Sequence, residues 1–244
     1  MANFTYEITD DIPERFAVHV NSHLPKGGLL LLSGGHTILE LLAALRDSLS
    51  AYHGDPLAIG QVDERLVPSD DERSNWYHIA NGLKDLEYID LPMIKCHTPT
   101  ERALLADCDT PDRSTAEARA TLAKGYAKRY EFLLAEYQPW SVVHLGLGAD
   151  GHTASLFPNS SALGSMSSFV TSNVDPSGAN PIERVTLTFP ALNRFDFRII
   201  VATGQDKATI VERALHGDGL PIHALDTKNT LLLIDRAAAS ALEA

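Results

Sequence analysis

The chain has 244 residues, 44% hydrophobic and 21% charged, with 20 basic against 32 acidic side chains and a formal charge of −12. That length and composition suit an ordinary globular protein with a substantial core, and the acidic balance argues against a nucleic-acid partner, which needs a broad basic surface. Apolar runs such as residues 29–32 are too short to cross a bilayer, and the first residues lack the basic start and apolar stretch of a signal peptide, so a cytoplasmic protein without a membrane partner is expected.

In chain order, residues 28–33 (GLLLLS) read as a buried strand leading into a helix over 37–49, where apolar residues recur at three- and four-residue spacing. Residues 57–63 are the next strand, and 74–83 a helix that Ser74 or Asn75 can cap. Residues 93–97 predict a short strand, and 98–112 a loop with one helical turn. Cys96 and Cys108 fall in this part. They make neither a disulfide framework nor a spaced zinc site, and read as free thiols. The longest helical pattern covers 114–137, with Ser114 and Glu117 as a capping box. Strands follow at 141–147, 168–174, 184–189 and 197–203, then a helix at 204–215 and a last strand at 230–235. Residues 175–181 read as a surface loop. The alternation predicts an α/β fold of one domain, 1–244, with a largely parallel central sheet and helices on both faces.

Such sheets bind ligands beyond the carboxyl ends of their strands, which directs attention to segments 33–37, 63–75 and 146–158. The third contains Gly146-Leu-Gly148-Ala-Asp-Gly151, a formal match to the G-x-G-x-x-G dinucleotide fingerprint. That fingerprint requires its glycines to open a long helix, with an acid downstream for which Asp175 has roughly the right spacing. Only six residues separate Gly151 from Pro158, and 159–168 is rich in Ser and Gly, so the helix is missing and no dinucleotide cofactor is expected. What remains is Asp150-Gly151-His152. A neutral imidazole accepts a proton near neutral pH, a glycine permits the turn that aims it, and Asp150 can orient the ring or bind a hydroxyl. A lone loop histidine is more often an ordinary surface residue.

The motif has company. LGLGADGHTASLFP resembles the signature of the 6-phosphogluconolactonases, the soluble α/β kind and not the β-propeller kind. Four more blocks fit the same family in the same order: Ser33-Gly34-Gly35-His36-Thr37, Asp63-Glu64-Arg65-Leu66-Val67-Pro68 with Ser74-Asn75, Arg184-Val-Thr-Leu-Thr188, and Gly204-Gln-Asp-Lys207-Ala208. The resemblance implies a Rossmann-like fold shared with glucosamine-6-phosphate deaminase and ribose-5-phosphate isomerase. It implies hydrolysis of 6-phospho-D-glucono-1,5-lactone to 6-phospho-D-gluconate, the second step of the oxidative pentose phosphate pathway.

Each block also has a physical reading. Ser33, Gly34, Gly35 and Thr37 join a strand to a helix, where free N–H groups and a positive helix end receive phosphate; the bland reading is a plain turn capped by Thr37. His36 and Ile38 depart from the family habit, and His36 is left unassigned. The resemblance implies that Asp63 and Arg65 face the substrate, against a bland reading of a solvated turn. Arg184 and Lys207 are the other expected phosphate cations, Lys207 in the first turn of a helix, where a cation opposes the helix dipole unless an anion binds; a structural ion pair is the competing reading for Arg184. His152 is the expected general base, with Asp150 beside it.

The expected partner is a small phosphorylated sugar lactone, with no metal and no cofactor, and the protein is expected to be a monomer or weak homodimer. A metal site of Asp150, His152 and His144 is not expected, because strand alternation can bury His144. The main alternative is a hexosamine-phosphate deaminase or isomerase on the same fold. Arg65 stands where deaminases tend to have an aromatic residue, which favours the lactonase. A catalytically dead sugar-phosphate sensor is the other alternative.

Overall fold

A computed structural model describes residues 4–24, 28–52, 57–95, 98–106, 113–217 and 219–242. Its strands are β1 (Thr5–Ile8), β2 (Gly28–Leu32), β3 (Leu57–Gln61), β4 (Asp63–Arg65), β5 (Ile89–Leu91), β6 (Trp140–Gly146), β7 (Val170–Asn173), β8 (Arg184–Leu187), β9 (Phe197–Ala202) and β10 (Thr230–Ile234). The helices are α1 (Ile12–Ser22), α2 (His36–Ser50), α3 (Asn75–Gly82), α4 (Pro99–Ala106), α5 (Arg113–Ala135), α6 (Phe189–Leu192), α7 (Ala208–His216) and α8 (Arg236–Ala239). Seven strands form one sheet in the order β1-β10-β9-β6-β2-β3-β5, and every pairing in it is parallel.

Side chains of successive strand residues point to opposite faces, and the sheet uses both. Leu29 and Leu31 of β2 join an apolar cluster with α5, α7 and the residues of β7 and β8, while Leu30 and Leu32 join a second cluster with α1, α2 and α3. A strand covered on both faces needs apolar residues at every position, which explains the uninterrupted LLLL of β2.

The structure corrects several expectations. The 57–63 strand breaks at Val62, and its continuation β4 leaves the parallel sheet for a separate antiparallel one, β4-β8-β7. The segments read as strands at 168–174 and 184–189 therefore do not join the main sheet. The strand expected at 93–97 lies instead at β5, because Ile89-Asp90-Leu91 continues the parallel ladder beside β3; Cys96 and His97 are outside the described residues, as is Cys108. The expected 98–112 loop begins with the two-turn helix α4. Helix α5 starts at Arg113, one residue before its expected cap, and the Ser114 side chain is not among those described. Before Gly28, β1 and α1 were not foreseen.

Candidate active site

A cleft of about 540 Å³ opens at the carboxyl ends of β2, β6 and β9. Ser33, Gly34, Gly35, Thr37, Asp63, Arg65, His152, Arg184 and Lys207 all line it. Residues 120 or more positions apart thus meet because parallel strands deliver their C-terminal loops to one edge.

The first wall is the turn from β2 into α2. Gly35 caps α2 at φ 95° with no side-chain hydrogen bond to the helix end, so Gly35 and not Thr37 is the cap, and Thr37 lies inside the first turn. The φ demands glycine, and the helix presents unsatisfied N–H groups to the cleft. Gly34 is pressed against α3, since a Cβ there would lie 1.8 Å from Asn75 Oδ1. Ser33 is buried, and its hydroxyl has no hydrogen-bond partner among the described residues. The His36 side chain is outside the described residues.

The second wall is β4. Asp63 is buried, and its Oδ2 accepts a hydrogen bond from Ser155 Oγ at 2.6 Å. Asn75 Nδ2 donates to the Asp63 carbonyl at 2.8 Å. Glu64 points away from the cleft into a shell of donors: Gln61 Nε2, Ser74 Oγ, and the amides of Arg65, Asn75 and Trp76. Burial pushes its carboxyl up, while these bonds pull it back. Ser74 also caps α3, as expected. Arg65 Nη1 donates to the Arg73 carbonyl at 2.7 Å, and Arg65 is paired directly opposite Arg184 across the antiparallel ladder. Like charges at such a position repel. Arg184 is 8% exposed, and burial first, then Arg65, holds its guanidinium below its usual range. Two guanidinium groups so placed fit an anion between them.

The third wall is the loop after β6. Asp150 Oδ1 accepts from His152 Nδ1 at 2.5 Å and from the His152 amide at 3.2 Å. The hydrogen bond to His152 keeps the Asp150 carboxyl below the usual carboxylate range. A carboxylate can only accept, so Nδ1 carries the proton and Nε2 is left as the basic nitrogen. Asp150 itself stands behind His152 and does not line the cleft. Gly151 has φ 88°, and the ring of Phe157 packs 4.9 Å from that of His152. No helix follows Gly151; a short 3₁₀ turn comes only at Ser161–Gly164, and Asp175 bonds to its own loop through Ser177 and Asn180. The glycine spacing is therefore not a dinucleotide fingerprint.

Lys207 ends a 3₁₀ turn, Gln205–Lys207, and precedes α7 instead of lying in its first turn. His144 lies in the strand as alternation suggested, 1% exposed, edge-on to Phe16 with ring centroids 5.0 Å apart. Neither ring nitrogen has a hydrogen-bond partner among the described residues, and burial pushes its pKa down to about 3. Among the described residues no three His, Cys, Asp or Glu side chains cluster as metal ligands. Among the lining residues that the sequence did not single out are Glu40, Asn180 and Asp206. Glu40 and Asp206 sit within quoted blocks or a helix pattern, but Asn180 lies in a loop that no pattern distinguishes.

Fold and site together define a class: an open parallel α/β protein whose strand-end cleft gathers cationic side chains beside an imidazole held by a carboxylate. The chain belongs to the family described as glucosamine-6-phosphate isomerases/6-phosphogluconolactonase, whose model matches residues 7–233. It is 32% identical over 225 residues to a 6-phosphogluconolactonase of Mycobacterium tuberculosis, covering 88% of this chain and 85% of that one. It is also 32% identical over 221 residues to the 6-phosphogluconolactonase of Rattus norvegicus, covering 86% and 79%. In fold it is similar to the 6-phosphogluconolactonase structure from Trypanosoma brucei, with a TM-score of 0.75 and 23% identity over 99% of this chain and 100% of that one. A monomeric glucosamine-6-phosphate deaminase shares the fold at a TM-score of 0.66 and 17% identity, over 98% of this chain and 99% of that one.

Proposed function

We propose that this protein hydrolyses 6-phospho-D-glucono-1,5-lactone to 6-phospho-D-gluconate. The observation that carries the reading is the His152 imidazole, fixed by Asp150 with Nε2 free, in the same cleft as the Arg65–Arg184 pair and Lys207. Phosphate is held by the Ser33–Thr37 turn with Arg184 and Lys207, which sets the lactone carbonyl near His152. Nε2 takes a proton from water as the water oxygen bonds to the carbonyl carbon. Arg65 and neighbouring N–H groups receive the oxyanion charge. On collapse the bond from that carbon to the ring oxygen breaks, and the imidazolium returns its proton to the departing oxygen. Asp150 holds the tautomer throughout. Asp63, tied to Ser155, completes the wall beside Arg65. A lactone is already an activated ester, so the scheme requires no metal, cofactor or covalent intermediate.

The same reading treats the chain as one domain, because the antiparallel sheet shares an apolar cluster with the parallel one. It places the protein in the cytoplasm as a monomer or weak homodimer. Among the described residues no helix is long and apolar enough to cross a membrane.

The test is acid release from freshly generated 6-phosphogluconolactone, corrected for spontaneous hydrolysis. Acceleration by the wild type, with His152→Ala reducing it by about 10²–10⁴-fold at unchanged phosphate-ligand binding, is the expected result. Full activity in His152→Ala removes that residue from the mechanism. Ammonia release from glucosamine-6-phosphate, without lactone hydrolysis, overturns the assignment.

A further inference from the structure

The loop between β7 and β8 is built around one carboxylate. Asp175 accepts four hydrogen bonds, from Ser177 N at 2.8 Å, Ser177 Oγ at 2.7 Å, Asn180 N at 3.0 Å and Asn180 Nδ2 at 2.7 Å. Burial raises its carboxyl, and these bonds outweigh that and hold it down to about 2, so it stays an obligate acceptor at any working pH. Asn180, half-buried, lines the cleft with His152 and Arg184.

An obligate acceptor at 2.7 Å decides which way an amide points. The Asn180 nitrogen must face Asp175, which leaves the Asn180 oxygen as its remaining polar atom. No donor among the described residues bonds to that oxygen. The cationic donors of the cleft, Arg65, Arg184 and Lys207, and the N–H groups opening α2 suit an anion. Asp63 has Oδ2 engaged with Ser155, and Glu40 and Asp206 are exposed carboxylates. A neutral acceptor locked in orientation among donors does not attract the phosphate. It fits a ligand group that donates, and on a sugar-derived ring that group is a hydroxyl.

We propose that Asn180 is a specificity-determining residue whose amide oxygen accepts a hydrogen bond from one ring hydroxyl of the bound sugar phosphate, with Asp175 as its positioning residue. The proposal rests on the lactonase reading and adds to it the means of recognising the polyol part of the substrate. The phosphate grip alone cannot tell one phosphorylated ring from another; a fixed neutral acceptor in the same cleft can.

The experiment measures kcat and KM for 6-phosphogluconolactone and its 2-, 3- and 4-deoxy analogues, in the wild type, Asn180→Ala and Asp175→Asn. Inorganic phosphate serves as a competitive probe. Wild type is expected to lose about 5- to 10-fold in kcat/KM, mostly through KM, on one of the three deoxy lactones, the scale of one hydrogen bond. Asn180→Ala is expected to lose the same factor on the full substrate and nothing further on that one analogue. Asp175→Asn, with fewer acceptor positions for the loop, is expected to give the same pattern, and phosphate inhibition is unchanged in both variants. An equal loss on all four lactones, or no loss on any, overturns the proposal, since a merely structural role moves every substrate alike. Absence of turnover in the wild type on all four overturns the lactonase reading, and this proposal with it, and is recognised without any variant.

Discussion

Gly148 stands where any side chain collides with the proton-transfer pair. A Cβ there would lie 2.3 Å from His152 Nδ1 and 2.6 Å from Asp150 Oδ1, and its amide also closes the loop on the His152 carbonyl at 2.8 Å. Gly148→Ala is therefore expected to fold, since the site is a surface cleft, but to lose about 10²-fold or more in kcat as the imidazole is displaced; a thermal melt beside steady-state assays checks both halves. Asp150→Asn keeps the shape and removes the obligate acceptor. An amide can turn its nitrogen to Nδ1 and stabilise the opposite tautomer, so a fall in kcat with KM little changed is expected, read from a full rate profile against substrate concentration. In the sequence His152 was legible because a glycine and an acid precede it and the family signature surrounds it. The role of Asn180 was not, because an orienting carboxylate five residues away shows no pattern until the loop is folded.

Among elements, β4 matters out of proportion to its three residues. It brings Asp63 and Arg65 to the cleft and pairs with β8, and Leu66 N extends the contact to the Glu183 carbonyl at 2.8 Å. Arg119 of α5 locks this edge from behind, donating to Leu66 O at 2.9 Å and Leu104 O at 2.6 Å and pairing with Glu183 at 2.7 Å. Arg119 is 2% exposed, so Arg119→Met strands a largely buried carboxylate and two carbonyls. A loss of about 3 kcal/mol in urea unfolding is expected. The facing Arg65 and Arg184 repel when nothing lies between them, so phosphate is expected to raise the melting temperature of the wild type and to do so less in Arg184→Ala, measured across a phosphate titration. Apolar runs, continuous over residues 29–32 of β2, 199–202 of β9 and 231–234 of β10 and broken by Ser141 and His144 in β6, made these strands readable from sequence. β4 and β5 are three residues each, too short for a period to show. β1, TYEI, is largely exposed, so it lacks the apolar run that marks a buried strand.

For the whole molecule, buried His144 sets an acid limit on stability. Its folded pKa of about 3 lies below the unfolded value of 6.5, so between those values the unfolded chain binds a proton that the folded one refuses. Stability attributable to this group is intact above the unfolded pKa and falls by about 1.4 kcal/mol per pH unit as pH drops toward the folded one. His144→Leu keeps an apolar partner for Phe16 and removes the titration, so its denaturation midpoint is expected to fall less steeply than that of the wild type from pH 6.5 to 4, followed by urea titrations at each pH. Alternation in the sequence suggested the burial of this residue, but not that its ring nitrogens would be left without partners. The parallel sheet itself was legible from the alternation of apolar runs with helical periods, while its division from a second sheet was not, since that depends on a break at one residue, Val62. The strand order also fixes a sequence of assembly. Among the described residues β1 pairs only with β10, Thr5 opposite Leu231, so β1 is made long before the strand that gives it a neighbour. Until then it is an unmatched edge, and closing so long a loop is a late and slow event. A nascent chain stalled before β10 is expected to leave β1 open to protease, while α1, packed on α2, is protected.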